Sequence, residues 1–292
     1  MTAASDTLGP IARSPGFWAT VRRRLYRDPV AVGAGIVILL IVLLAVFAPY
    51  LAPQDPYKAL MLRRLRPIGT EGFPLGTDEL GRDMLSRLIH GARLSLFMGV
   101  TPVFLALFIG AAIGITAGFV GGWVNTALMR TIDVFFAFPS VLLAIALSGT
   151  LGAGIVNGLV ALTIVFIPPI ARVAESVTAG MRGREFVEAA RASGAGALTI
   201  IRVHVLGNVL GPIFVYAMSL IAVSMILASG LSFLGLGVKP PEPEWGLMLN
   251  TLRTAIYIQP WLAALPGAMI FITSISFNMF TDGLRSAMDI KA

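Results

Sequence analysis

Apolar residues run along this chain in blocks longer than a soluble fold uses. The first block covers 30–51, directly behind Arg22, Arg23, Arg24 and Arg27. At about 1.5 Å per residue, about 22 residues cross a hydrocarbon layer of about 30 Å, so this block predicts a membrane-crossing helix. A secretory leader has an apolar region about half as long, so the block reads as a retained span. No charged residue interrupts 94–129 or 134–171, and each run is too long for one crossing. Gly118, Gly121 and Gly122 break the first run, and Gly149, Gly152, Gly154, Asn157 and Gly158 break the second. The predicted spans are therefore 94–118, 128–148 and 157–174. Gly211-Pro212 opens a fifth that runs to about 235, with Pro212 suited to a helix start. A sixth covers 262–281.

The pattern thus predicts an all-α membrane protein with six transmembrane helices. An even number of spans leaves both termini on one side, and the arginines ahead of the first span make that side the cytoplasm. The chain divides into a cytoplasmic segment 1–29, a first span 30–51, an extracytoplasmic loop 52–93, a five-helix core 94–282 with a cytoplasmic loop 175–210, and a cytoplasmic tail 283–292. The outer loop runs against the positive-inside rule, because it holds Lys58, Arg63, Arg64, Arg66, Arg82, Arg87 and Arg93. Within it, Leu80, Met84, Leu85, Leu88 and Ile89 recur at helical spacing opposite Arg82, Asp83, Ser86, Arg87 and His90. That predicts an amphipathic helix on the membrane surface, capped by Thr77 or Asp78 and leading into the second span.

The cytoplasmic loop carries a second pattern, REFVEAARASGAGALTIIRVHVLGN over 184–208. Phe186, Ala189, Ala190 and Ser193 share one helical face, while Arg184, Glu188 and Arg191 are spaced for ion pairs on another. Gly194 sits where a left-handed C-cap stops a helix, and Leu198, Ile201 and Val205 begin a second short helix. A small-residue face flanked by charge suits docking into a groove of a soluble partner. The plainer reading is a surface helix that joins two spans and is held by its own ion pairs.

Composition narrows the function classes. The 292 residues are 57% hydrophobic and 13% charged, against about 25% charged in soluble domains. The net charge of +7 sits between apolar blocks, where topology and anionic lipid account for it, so membrane lipid rather than nucleic acid is the expected partner. Cysteine is absent, which excludes disulfides and thiolate chemistry. A phosphate-binding loop ends in Gly-Lys, whereas Lys58, Lys239 and Lys291 follow Tyr57, Val238 and Ile290. The chain is therefore not its own ATPase, and no catalytic residue, metal site or cofactor is expected. His90 and His204 fall on opposite sides of the membrane, and Ser229 and Ser232 lack a histidine at their depth, their expected role being a bond back to helix carbonyls. Ion-coupled transport usually leaves charge within the spans. Only Arg130 and Asp133 qualify, spaced i,i+3 as a structural ion pair.

The loop resembles a known pattern. Glu188-Ala189-Ala190, then three residues, then Gly194 is similar to the EAA loop of permease subunits in binding-protein-dependent ABC importers, with Leu206 at the pattern's leucine and His204 at its isoleucine. Gly207 stands where that pattern has proline, which loosens the return to the fifth span. Further segments resemble the C-type subunit of dipeptide/oligopeptide importers: GTDELGRDMLSRLIHGARLSL over 76–96, LSFLGLGVKPPEPEWG over 231–246, and the tail NMFTDGLRSAMDIKA. The resemblance implies a type I ABC importer permease fold in the inner membrane, forming half of a peptide pathway; nickel and haem are carried by similar permeases. It implies as partners a second, B-type permease subunit, two ATP-binding subunits and an extracytoplasmic substrate-binding protein. It assigns ATPase coupling to Arg184, Glu185, Glu188, Ala189, Ala190, Gly194 and Leu206. Pathway-lining groups are expected from the third to fifth spans, with Ser224, Ser229 and Ser232 as candidates.

Overall fold

The structure is a computed structural model and describes residues 17–288. A short helix, α1 (Phe17–Leu25), precedes the first crossing helix, α2 (Pro29–Val46). Asp28 starts α2, its Oδ1 accepting the Val30 and Ala31 N–H groups at 3.0 and 3.2 Å while Pro29 occupies the first turn. The predicted span 30–51 is shorter than expected. Its last turn separates as α3 (Ala48–Leu51), because Pro49 has no N–H to continue the ladder.

Two long helices form the centre. Helix α4 (Met84–Val120) has 37 residues, about 55 Å, so its first turns project beyond a hydrocarbon layer of about 30 Å. Of the surface helix expected to lead into the second span, the part from Met84 onward is the opening of α4, while 80–83 stand ahead of it in a turn. Its cap is Asp83, whose Oδ2 accepts Ser86 N–H at 2.8 Å, rather than Thr77 or Asp78. The helix also runs through Gly118, where a break was expected, and stops at Gly121, whose φ of +69° favours glycine. Helix α7 (Ile155–Arg182) packs along α4 in the most extensive contact of the fold. Glycines 110, 114 and 118 make this possible. A Cβ on Gly110 would lie 2.9 Å from the Ile167 carbonyl, one on Gly114 2.6 Å from Ala174 Cβ, and one on Gly118 2.6 Å from the Glu175 carbonyl.

The third predicted span, 128–148, is two helices. Helices α5 (Gly122–Phe136) and α6 (Ser140–Leu151) meet at 86° across Pro139. Among the described residues five helices are long and apolar enough to cross a membrane, and the bent pair is a sixth candidate if it forms one span. Beyond α7 come a two-turn helix, α8 (Glu185–Ala192), and α9 (Ala197–Ile200). Helix α9 passes through a π-turn at Ile201–Val205 into α10 (Leu206–Phe233). The fifth span thus begins well ahead of Pro212, which lies inside α10, and the helix runs without a break through Gly207. A buried helix, α11 (Trp245–Thr251), and the last crossing helix, α12 (Pro260–Met288), complete the chain.

Candidate functional site

Helix α8 hangs between the ends of α7 and α9. The backbone N–H of Gly194 donates to Arg191 and that of Ala195 to Ala190, at 3.0 and 3.1 Å, with Gly194 at φ +82°. These two bonds are the Schellman closure, and they cap the carbonyls at the helix end. Glu185 and Glu188 lie in the first turn and Arg191 in the last, each where the helix dipole favours its charge. Val187 is fully buried against the cluster that holds Ile200 and Val205, and Ala190 is half-buried beside it. The face anchored to the chain itself is Val187 and Ala190, so of the face expected to dock on a partner only Ala190 is partly covered. Phe186, Ala189 and Ser193 are exposed together with Arg184, Glu185 and Glu188. The Phe186 ring lies 6.2 Å from that of His204.

Arg184, Glu185, Glu188, Ala189, Ala190 and Gly194 are thus gathered on one rigid projection. Leu206 is not part of it; it begins α10 half-buried and packs on the core. The expected ion pairs among Arg184, Glu188 and Arg191 are not formed. The helix is held instead by its cap and by Val187, which leaves both signs of charge open to a partner.

The candidate pathway serines are buried within the chain. Ser232 Oγ accepts the Val238 N–H at 3.2 Å, a loop bond rather than the expected bond to a helix carbonyl. Gly246 of α11 packs directly on the Ser229 backbone. None of Ser224, Ser229 and Ser232 faces an open surface. An open cavity of about 270 Å³ lies instead at the α5–α6 bend, lined by Phe135, Phe136, Phe138, Val165, Phe166 and Pro168 among others, and was not among the expected site residues. The signal was present as three phenylalanines flanking Pro139. On α5, Asp133 pairs with Arg130 at 3.6 Å and, more closely, with Arg172 of α7. The expected local pair is therefore also a tie between two helices, because Arg172 lies within α7.

The basic loop ahead of α4 is a folded ionic core. Asp78 Oδ2 lies 2.6 Å from Arg82 Nε and 3.2 Å from Arg87 Nε, and Glu79 Oε1 lies 2.9 Å from Arg82 Nη2. Arg87 also donates to the Pro56 carbonyl at 3.0 Å. Burial, with Asp78 adding to it, raises the Glu79 carboxyl above its ordinary 4.5. Beneath this cluster Glu244 caps α11, accepting from Gly246 and Leu247 N–H at 2.9 and 2.8 Å and from Ser95 Oγ at 3.1 Å. The Trp245 indole N–H donates to the Leu88 carbonyl at 3.0 Å and ties α11 to α4. Two of the basic residues that opposed the positive-inside rule, Arg82 and Arg87, are thus buried beside carboxylates.

A bundle of long apolar helices with a short charged helix hung beneath it defines a multi-pass membrane transport subunit. Residues 110–291 match the family described as binding-protein-dependent transport system inner membrane component, and 16–67 match the N-terminal transmembrane domain of oligopeptide transport permease C. The chain belongs to this family of ABC importer permeases, of the C type. It is 41% identical to the glutathione transport system permease protein GsiD of Pectobacterium atrosepticum, over 94% of this chain and 91% of that one. It is 42% identical to the di/tripeptide transport system permease protein DppC of Pseudomonas aeruginosa, over 89% and 88%. The MetNI methionine ABC transporter in an inward-facing form shares the fold, with a TM-score of 0.52 at 19% identity over 70% of this chain and 97% of that one.

Proposed function

We propose that this subunit imports small peptides, and that separate ATP-binding subunits drive it by pushing on α8. The observation that carries the proposal is the exposed, doubly charged and rigidly capped α8, which projects from the helix that packs along α4. A load applied to Glu185, Glu188 and Ala189 would pass through Val187 to α9 and the π-turn that leads into α10. Two ATP-binding subunits would engage this chain and a B-type permease, which would supply the other half of the pathway. An extracytoplasmic binding protein would deliver cargo. Both termini and α8 are assigned to the cytoplasm, since the arginines before α2 and around α8 then obey the positive-inside rule. Peptide cargo is inferred from relatives that carry glutathione and di- or tripeptides. The pathway wall is assigned to the aromatic cavity at the α5–α6 bend, because the serines of α10 are closed off by packing.

The test is to assemble the transporter with Glu188→Lys or Gly194→Val in this chain. Both variants should reach the membrane at wild-type levels and keep ATP hydrolysis, while peptide uptake falls by more than about tenfold, equivalent to about 1.4 kcal/mol of coupling. Wild-type uptake in both variants, or uptake driven by an ion gradient without ATPase subunits, would refute the proposal.

A further inference from the structure

A groove of about 520 Å³ opens where α1, α2 and α12 meet, walled by Ile36, Leu39, Phe280 and Leu284 and edged by Arg22 and Tyr26. It lies beside a tight contact. Gly283 of α12 packs on Ala31 of α2, and the Phe280 ring lies 3.3 Å from where a Cβ on Gly35 would stand. Groove residues on α2 run from Ala31 to Leu39, a rise of about 12 Å, most of the depth of a single leaflet's acyl layer of about 15 Å. Arg22 lines the groove, its chain neighbours Arg23 and Arg27 are exposed, and none of the three forms an ion pair among the described residues. An aliphatic slot of acyl length under a cluster of guanidiniums matches one ligand class on both counts.

We propose that this groove is a binding site for an anionic phospholipid. One acyl chain lies along α2 between α1 and α12, and the phosphate is held by Arg22 and its neighbours at the membrane surface. The bound lipid fills the groove beside the seam between the N-terminal helices and the last helix, which pack on each other through contacts that include Ala31–Gly283 and Gly35–Phe280. The inner leaflet is assigned from the orientation proposed above. Lipid retention itself does not depend on that orientation, so the two can fail separately.

The test uses the intact transporter assembled with its partner subunits, reconstituted in vesicles of equal phosphatidylglycerol and phosphatidylethanolamine. The complex is then extracted and its retained lipid weighed by native mass spectrometry. The wild type should hold phosphatidylglycerol in preference to phosphatidylethanolamine. Arg22→Gln combined with Arg23→Gln should lower that retention by about fivefold or more, on the scale of one arginine at an anionic surface. Ile36→Trp should fill the slot and displace the lipid from complexes that still assemble, while Arg64→Gln in the outer loop should change nothing. Equal retention of the two lipids by the wild type, or retention unaffected by both groove variants, would overturn the site.

Discussion

Asp78 shows how a single residue settles the fate of a whole loop. It places one carboxylate oxygen between Arg82 and Arg87, and its other oxygen accepts the Leu80 and Arg82 N–H groups, each at 2.9 Å. Removing one partner of a buried ion pair leaves the remaining charge unsolvated, which costs more than the pair itself contributes. Asp78→Asn should therefore destabilise the subunit by about 3–5 kcal/mol, read as a lower melting temperature of the purified complex and a lower membrane level. Glu244 acts through hydrogen bonds instead. Glu244→Ala would strip the cap from α11 and leave two buried N–H groups and Ser95 without their acceptor. The expected loss is about 1–3 kcal/mol, checked by thermal unfolding in detergent. Spacing assigns Arg82 and Arg87 to the solvent face of an amphipathic helix and Asp78 to its cap. Periodicity separates polar from apolar faces; it does not say that a second loop, here Pro241 to Trp245, will cover the polar one.

At the scale of elements, the decisive contact is the glycine row of α4 against α7. Gly110, Gly114 and Gly118 fall on one face four residues apart, and in lipid, where packing replaces the hydrophobic effect, small residues let two backbones approach. Gly114→Leu should wedge the helices apart and cost about 1–3 kcal/mol or more. An assembly assay by size-exclusion chromatography should show the loss, and an intact, fully stable complex would show that the row is incidental. The same row was legible in the sequence, yet Gly118 was read as a breaker because local propensity treats glycine as a helix stop. Tertiary packing overrode that propensity. The reverse holds for Gly194, where the left-handed cap anticipated from the sequence is present, because a C-cap is a local device whose bonds close within a few residues.

For the whole molecule, orientation is the quantity to test. The chain has no cysteine, so single cysteines report sidedness without a background. Ser193→Cys, beside α8, should react with a membrane-impermeant maleimide only from the cytoplasmic side, and Arg64→Cys only from outside. The opposite pattern would place α8 away from any ATPase and sink the proposed drive. Hydrophobic blocks determined the class of protein and charge spacing the short helix at 185–192, because burial in lipid demands long apolar runs and every charge outside them stands out. Tertiary structure decided the rest. It bent the third predicted span at Pro139, made α4 longer than one crossing needs, buried Arg82 and Arg87 against Asp78 and Glu79, and anchored α8 through Val187. Each of these depends on a neighbour distant in the chain, and spacing along one helix carries no record of what that helix will meet.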